Sequence, residues 1–152
     1  MIYVKDNVLS NDDIEQLKPL YSQQQWETFD QTLIASVSPD NKFVQKVKNK
    51  IICDLNEKLK EFNEVDWSQI ILYPTGSSKN FHIDSASENT TGTSVTFLND
   101  DFVGGEAVVQ GVEITPIKGR TYYIDGKMYK HAVLNVIKGA RFTLTSWYKR
   151  GD

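Results

Sequence analysis

The sequence predicts a mainly β domain with flanking helices, a jelly-roll barrel supported by two N-terminal helices. Three observations predict it. Two stretches with apolar residues every three or four positions precede residue 63, eight short runs rich in β-branched and aromatic residues follow Trp67, and turn residues separate those runs. A chain of 152 residues fits one compact domain. Residues 1–66 read as mostly helical support and residues 67–152 as the barrel.

Ser10 ahead of Asn11, Asp12 and Asp13 supplies a helix cap and an acidic first turn, and Ile14, Leu17, Leu20 and Tyr21 follow at helical spacing. In the second helix Ser38 caps, Pro39 suits the first turn, and Phe43, Val47, Ile51, Leu55, Leu59 and Phe62 form a stripe that predicts packing on a sheet. Lys42, Lys46, Lys48, Lys50, Lys58 and Lys60 lie between those positions, mixed with Asp54, Glu57 and Glu61, which reads as a solvated helix face. Gln23–Ser38 lacks periodicity and reads as a strand or an irregular loop. The expected strands are Gln69–Tyr73, Asn80–Asp84, Ser94–Leu98, Glu106–Gln110, Val112–Ile114, Thr121–Ile124, His131–Ile137 and Arg141–Tyr148.

Composition narrows the function classes. A net charge of −3 argues against a general phosphate-backbone binder, so no nucleic-acid partner is expected. The single cysteine, Cys53, makes neither an internal disulfide nor a cysteine-based zinc site. MIYVKDNVLSNDD lacks the apolar core of a signal peptide and no apolar run approaches a membrane span, so the expected address is the cytoplasm, without a membrane partner.

Only two histidines occur, and their positions carry chemistry. In Phe81-His82-Ile83-Asp84, residues two apart on a strand share a face, so His82 and Asp84 are placed to share one metal while Phe81 and Ile83 pack the other way. His131 opens a later strand that a barrel brings beside His82. Two imidazoles and one carboxylate are the donor set of non-heme iron(II) sites, which keep positions open for substrate and oxygen. The alternative is a structural one, with His82 paired to Asp84 and His131 in a turn.

Alternation in Arg141–Tyr148 puts Arg141, Thr143, Thr145 and Trp147 on one face and Phe142, Leu144, Ser146 and Tyr148 on the other. The second face suits packing under the helices. The first then points into the barrel, where a buried arginine needs an anion, either an acidic side chain from another strand or a bound carboxylate held in bidentate fashion.

Tyr73-Pro74-Thr75-Gly76, His82-Ile83-Asp84, Phe97-Leu98-Asn99, Gly104-Gly105-Glu106, Pro116-x-x-Gly119-Arg120, His131 and Arg141-Phe-Thr-Leu-Thr-Ser-Trp-Tyr148 appear in that order. Together they make the chain resemble the iron(II)- and 2-oxoglutarate-dependent dioxygenases of the prolyl 4-hydroxylase family, especially the small hypoxia-inducible-factor prolyl hydroxylase type. The resemblance implies a double-stranded β-helix with His82, Asp84 and His131 on Fe(II). It implies Arg141 on the distal carboxylate of 2-oxoglutarate with Tyr73 and Thr145 nearby, and Trp147 beside the substrate. No catalytic residue beyond the metal centre is implied. The implied cosubstrates are 2-oxoglutarate and O2, with ascorbate as a reductant, and the products are succinate and CO2. The implied partner is a peptide or protein with a target proline, acted on by a monomer. Phe97 stands where related hydroxylases often carry a hydrogen-bonding tyrosine, which puts more of the cosubstrate affinity on Arg141 and Tyr73. Gly104, Gly105 and Glu106 read as a turn and strand start. Gln23–Ser38 and Ser85–Thr93 are expected as loops over the site. The rival readings are the same chemistry on free proline, another residue or a small metabolite, an alkylated-base demethylase, and a jelly-roll module that binds without turnover.

Overall fold

Ser10 and Asp13 cap each other at the start of the first helix. The Asp13 N–H donates to Ser10 Oγ at 3.1 Å and the Ser10 N–H to Asp13 Oδ2 at 2.9 Å, so two end donors are satisfied reciprocally. The computed structural model describes residues 2–22, 25–55, 64–84, 89–125 and 128–150. They form β1 (Ile2–Lys5), α1 (Asn11–Ser22), β2 (Glu27–Phe29), β3 (Thr32–Val37), α2 (Lys42–Leu55), β4 (Glu64–Tyr73), β5 (Lys79–His82) and β6 (Thr90–Phe97). After these come β7 (Val103–Gly104), β8 (Ala107–Val109), β9 (Val112–Ile114), β10 (Thr121–Ile124), β11 (His131–Val133), β12 (Val136–Lys138) and β13 (Arg141–Lys149).

The second helix starts later than its sequence suggests. Asn41, not Ser38, caps α2: its Oδ1 accepts from the Phe43 N–H at 2.8 Å and from the Val44 N–H at 3.4 Å. Ser38-Pro39-Asp40-Asn41 instead forms a turn closed by the Asn41 N–H on the Ser38 carbonyl, a placement that suits the fixed φ of Pro39. Leu59 and Phe62, predicted for the same helix, lie outside the described residues. The lysine run is partly paired, Lys46 with Asp13 and Lys50 with Asp54.

A seven-stranded antiparallel sheet has the order β1-β10-β6-β13-β4-β3-β2, and a four-stranded one the order β5-β11-β8-β9. From β4 onward the chain alternates between them: β4 in the first, β5 in the second, β6 in the first, β8 and β9 in the second, β10 in the first, β11 in the second and β13 in the first. This winding is consistent with a jelly roll. Residues 1–66 are less helical than their sequence suggests, because β1, β2, β3 and the first residues of β4 fall there. β1 pairs along β10 at one edge of the sheet, and β2 and β3 make a hairpin within Gln23–Ser38, the strand alternative for that stretch. The predicted strand His131–Ile137 divides at Leu134-Asn135. β11 pairs with β5 and β8, whereas β12 leaves the sheet to pair with β7.

The two faces of the large sheet have different tasks. On the outer face, Ile14, Leu17 and Tyr21 of α1 and Phe43, Val44, Val47 and Ile51 of α2 bury Val65, Ile70, Leu144 and Tyr148. Phe142 packs there too, its ring 5.3 Å from that of Tyr21. Between the sheets a second cluster joins Val95, Phe97, Tyr122 and Ile124 to Ala107, Val109 and Ile114. The remainder of the space between the sheets is a cavity.

Leu144 is 1% exposed under both helices. Leu144→Ala is expected to lower unfolding stability by about 2–5 kcal/mol, the range for a buried leucine whose site collapses only in part. Urea denaturation measures it, and a loss below about 1 kcal/mol contradicts the packing described.

Candidate active site

β5 is the edge strand of the four-stranded sheet, and β11 pairs with it so that His131 stands opposite His82. The two rings lie 4.2 Å apart, tilted by 55°. Each Nδ1 sits 2.8 Å from a carbonyl two residues earlier, Asn80 for His82 and Tyr129 for His131. A carbonyl only accepts, so each Nδ1 carries a proton, and in the neutral ring each Nε2 offers a lone pair.

Both Nε2 atoms face Asp84 Oδ1, at 3.1 Å from His131 and 3.6 Å from His82. Asp84 Oδ2 accepts from the Thr93 hydroxyl at 2.8 Å, which fixes the carboxylate's orientation. Burial raises the Asp84 pKa, but the Thr93 hydroxyl and, when the rings are charged and carry a proton on Nε2, donation from His131 and His82 outweigh it and hold the carboxyl well below the usual carboxylate range; a metal ion takes the place of those Nε2 protons. Two lone pairs and a carboxylate thus converge, with the three ligand atoms within 4.8 Å of one another. One metal ion satisfies all three: donors about 2.1 Å from an octahedral ion sit about 3 Å apart at right angles. The mixed nitrogen and oxygen set suits iron(II).

The route to this cluster differs from the expected one. β5 ends at His82, so Asp84 comes in from the segment that follows the strand and not from a shared strand face. Phe81 and Ile83 are 59% and 51% exposed, so neither is packed into a core, and Ile83 lies at the cavity rim.

At the other end of the cavity Arg141 is 2% exposed. Its Nε–H donates to the Gly105 carbonyl at 2.8 Å, and its guanidinium carbon lies 4.9 Å from the Tyr73 ring centre and 5.1 Å from that of Phe97. Its Nη2 is buried without a hydrogen-bond partner. Among the described residues no carboxylate pairs with it, so of the two anions expected, the acidic side chain is missing. Gly105 is required here. Its φ is +70°, and a Cβ would lie 3.1 Å from Arg141 Cδ and 2.9 Å from the Phe102 ring.

The cavity, about 560 Å³, connects the two ends. It is lined by His82, Asp84, His131, Arg141, Tyr73, Thr145 and Trp147, all seven residues singled out from the sequence. Among the other lining residues, Thr93, Gln69, Trp67 and Tyr122 were not singled out as site residues. Thr93 was expected in the loop Ser85–Thr93, but β6 begins at Thr90 and takes it into the large sheet; residues 85–88 of that expected loop lie outside the described residues. Gln69 and Trp67 share the inward face of β4 with Tyr73, and Trp67 stacks on Trp147 at 4.7 Å and 15°. Tyr122, 4% exposed, lies in the run Thr-Tyr-Tyr-Ile, where all four residues are buried and no polar alternation marks the inward face.

The model of the 2OG-Fe(II) oxygenase superfamily matches residues 68–149. The chain belongs to this superfamily. No curated protein matches it in sequence. Its fold is similar to that of a Pseudomonas putida prolyl-4-hydroxylase, with a TM-score of 0.82 at 17% identity over 99% of this chain and 93% of the other. A Trichoplax adhaerens prolyl hydroxylase, solved with a peptide fragment of the hypoxia-inducible-factor oxygen degradation domain, gives 0.81 at 18% identity over 98% and 83%. A viral collagen prolyl hydroxylase from Paramecium Bursaria Chlorella virus-1, in its 2OG complex, gives 0.79 at 19% identity over 99% and 96%. At these identities the likeness is one of fold. Membership in the superfamily brings Fe(II), 2-oxoglutarate and O2 to this oxygenase, and the cluster of His82, Asp84 and His131 fits the iron.

Asp84→Ala removes the one anionic donor and is expected to abolish Mn(II) binding measured by calorimetry. Thr93→Val leaves the donor but frees its orientation, with an expected loss of about 10-fold, at the lower end for partners behind a metal ligand. Affinity should also fall as pH is lowered, because protons compete for both Nε2 atoms. Unchanged Mn(II) affinity in Asp84→Ala removes the assignment.

Proposed function

We propose that this oxygenase hydroxylates a carbon of a prolyl residue in a peptide or protein, converting 2-oxoglutarate to succinate and CO2, as a monomer in the cytoplasm. One observation carries the reading: a three-donor metal cluster and a buried guanidinium with a free Nη2 face the same cavity. Bound iron supplies the oxygen chemistry, coupling decarboxylation of the oxo acid to hydroxylation of a C–H bond. The chain supplies binding and exclusion of water. His82 and His131 hold the metal from a strand pair and Asp84 from the residues just beyond β5. Arg141 takes the far carboxylate of 2-oxoglutarate with Nη2, its Nε being committed to Gly105, while Tyr73 flanks it and Thr145 lines the same wall. Lysine has one compact charge and does not reproduce this division of labour.

The substrate assignment draws on two features. Solved structures of similar fold include prolyl hydroxylases, one of them holding a peptide. The cavity rim carries the exposed Phe29 and Ile83, apolar surface that suits chain flanking a target residue, and Trp147, backed by Trp67, offers an indole wall for a pyrrolidine ring. The lone exposed Cys53 is compatible with a reducing compartment.

Incubation of the Fe(II) enzyme with 2-oxoglutarate, O2 and a panel of prolyl peptides is expected to yield succinate and a peptide heavier by one oxygen atom. Oxygen gain in free proline alone overturns the peptide assignment, and no succinate with any substrate favours a binding module. Arg141→Lys is expected to weaken 2-oxoglutarate by about 10-fold or more while metal affinity holds, measured on the Mn(II) protein. Equal loss of both contradicts the role given to Arg141.

A further inference from the structure

The anion end of the cavity holds more donor capacity than Arg141 and Tyr73 supply. Phe97, whose ring lies against the guanidinium, contributes a face and no hydrogen bond. Tyr122 packs beside it with ring centres 6.0 Å apart, on β10, two strands away from β13 in the sheet order. Its register partner Val95 is also the partner of Thr145, so Tyr122, Val95 and Thr145 form one row across the inward face. Tyr73 approaches Arg141 from the opposite side, as its direct partner on β4.

The hydrogen-bond inventory of this group is unbalanced. The Tyr122 hydroxyl lies beside the Arg141 guanidinium, which has protons to give and no lone pair to offer. The phenol oxygen can therefore accept from Arg141, but the phenol proton has to go elsewhere. Among the described residues no backbone or side-chain acceptor hydrogen-bonds it, and the same holds for Tyr73. Both phenols stay protonated at neutral pH, Tyr73 raised by burial and Tyr122 pushed up to about 12 by burial against the pull of Arg141. Two phenol protons and the free Nη2 of Arg141 thus belong to one cavity, and among the described residues none of them reaches a hydrogen-bond acceptor.

We infer that Tyr122 is a further cosubstrate-binding residue, donating its hydroxyl proton to the same carboxylate of 2-oxoglutarate that Arg141 holds. It offsets the missing hydroxyl at Phe97 from a neighbouring strand. Tyr73 and Tyr122 then bracket the carboxylate from two sides, so the clamp selects oxo acids long enough to place a second carboxylate there. This rests on the cosubstrate reading given above for Arg141.

The test is binding to the Mn(II)-loaded, full-length protein without oxygen, with 2-oxoglutarate and with pyruvate, which has the oxo acid but no distal carboxylate. Tyr122→Phe is expected to weaken 2-oxoglutarate by about 10-fold, the scale of a hydrogen bond to a charged group, and pyruvate by less than about 2-fold. Undiminished 2-oxoglutarate affinity, or equal loss for both acids, overturns the inference. A 3-fluorotyrosine placed at position 122 of the otherwise unchanged chain gives a second readout that does not depend on how the variant folds. Its fluorine resonance should shift with 2-oxoglutarate and stay with pyruvate, and no shift overturns the inference. Wild-type protein that binds no 2-oxoglutarate defeats the cosubstrate reading itself, whereas binding with no effect at Tyr122 defeats only this residue's part.

Discussion

The register of β13 links the core to the site. The strand is paired along both edges, to β4 and to β6, and its alternate residues face opposite environments. Leu144 and Tyr148 are locked under α1 and α2, with Phe142 packed against that core, so Arg141, Thr143, Thr145 and Trp147 have only the cavity to face. A slip of one residue would drive a guanidinium into the helix-covered core and lift the apolar side chains into the cavity. Desolvating that charge without a partner costs on the order of several kcal/mol. The helices, remote from any chemistry, thereby hold the functional face in place. A bulge where Trp147 meets Trp67 and Tyr148 meets Val65 adjusts β4 so that Val65 stays under the helices while Trp67 faces inward.

The metal end depends on backbone as much as on side chains. Pairing of β11 with β5 sets the two imidazoles opposite each other, and the carbonyls of Asn80 and Tyr129 turn both Nε2 atoms toward Asp84. Thr93 ties this cluster to the large sheet, because β6 supplies it and Trp147 is its cross-strand partner on β13. The same sheet therefore braces both the metal cluster and Arg141. Ligands held by a strand pair and by a carboxylate that Thr93 fixes are suited to a reactive metal, for which a small displacement is costly.

Much of this was legible in the sequence because its signals were periodic or chemically rare. The two faces of Arg141–Tyr148, and Phe43, Val47 and Ile51 of the second helix's stripe, lie where the sequence pattern put them, and His-x-Asp and the second histidine meet in one cluster although Asp84 reaches it from beyond β5. Other features had no local signature. β1 is four residues at a sheet edge, too short for a period to show. The cap of α2 passed from Ser38 to Asn41 because two capping residue types lay close together and Pro39 favoured a turn before the helix. The break between β11 and β12 reflects pairing with β7, a long-range choice. Tyr122 was hidden because buried strand residues lose polar alternation: Tyr123, its neighbour, joins the core under the helices, and only the sheet decides which tyrosine faces the cavity.

A single metal at His82, Asp84 and His131 beside a carboxylate held by Arg141 is tested most directly by anaerobic titration of the wild-type protein with Fe(II) and 2-oxoglutarate, followed in the visible range. Chelation of the metal by the oxo acid should produce a weak metal-to-ligand charge-transfer band that requires both additions. It should be absent from His82→Ala and require more 2-oxoglutarate in Arg141→Lys. No band in the wild type, or an identical band in His82→Ala, would contradict the assignment of the centre.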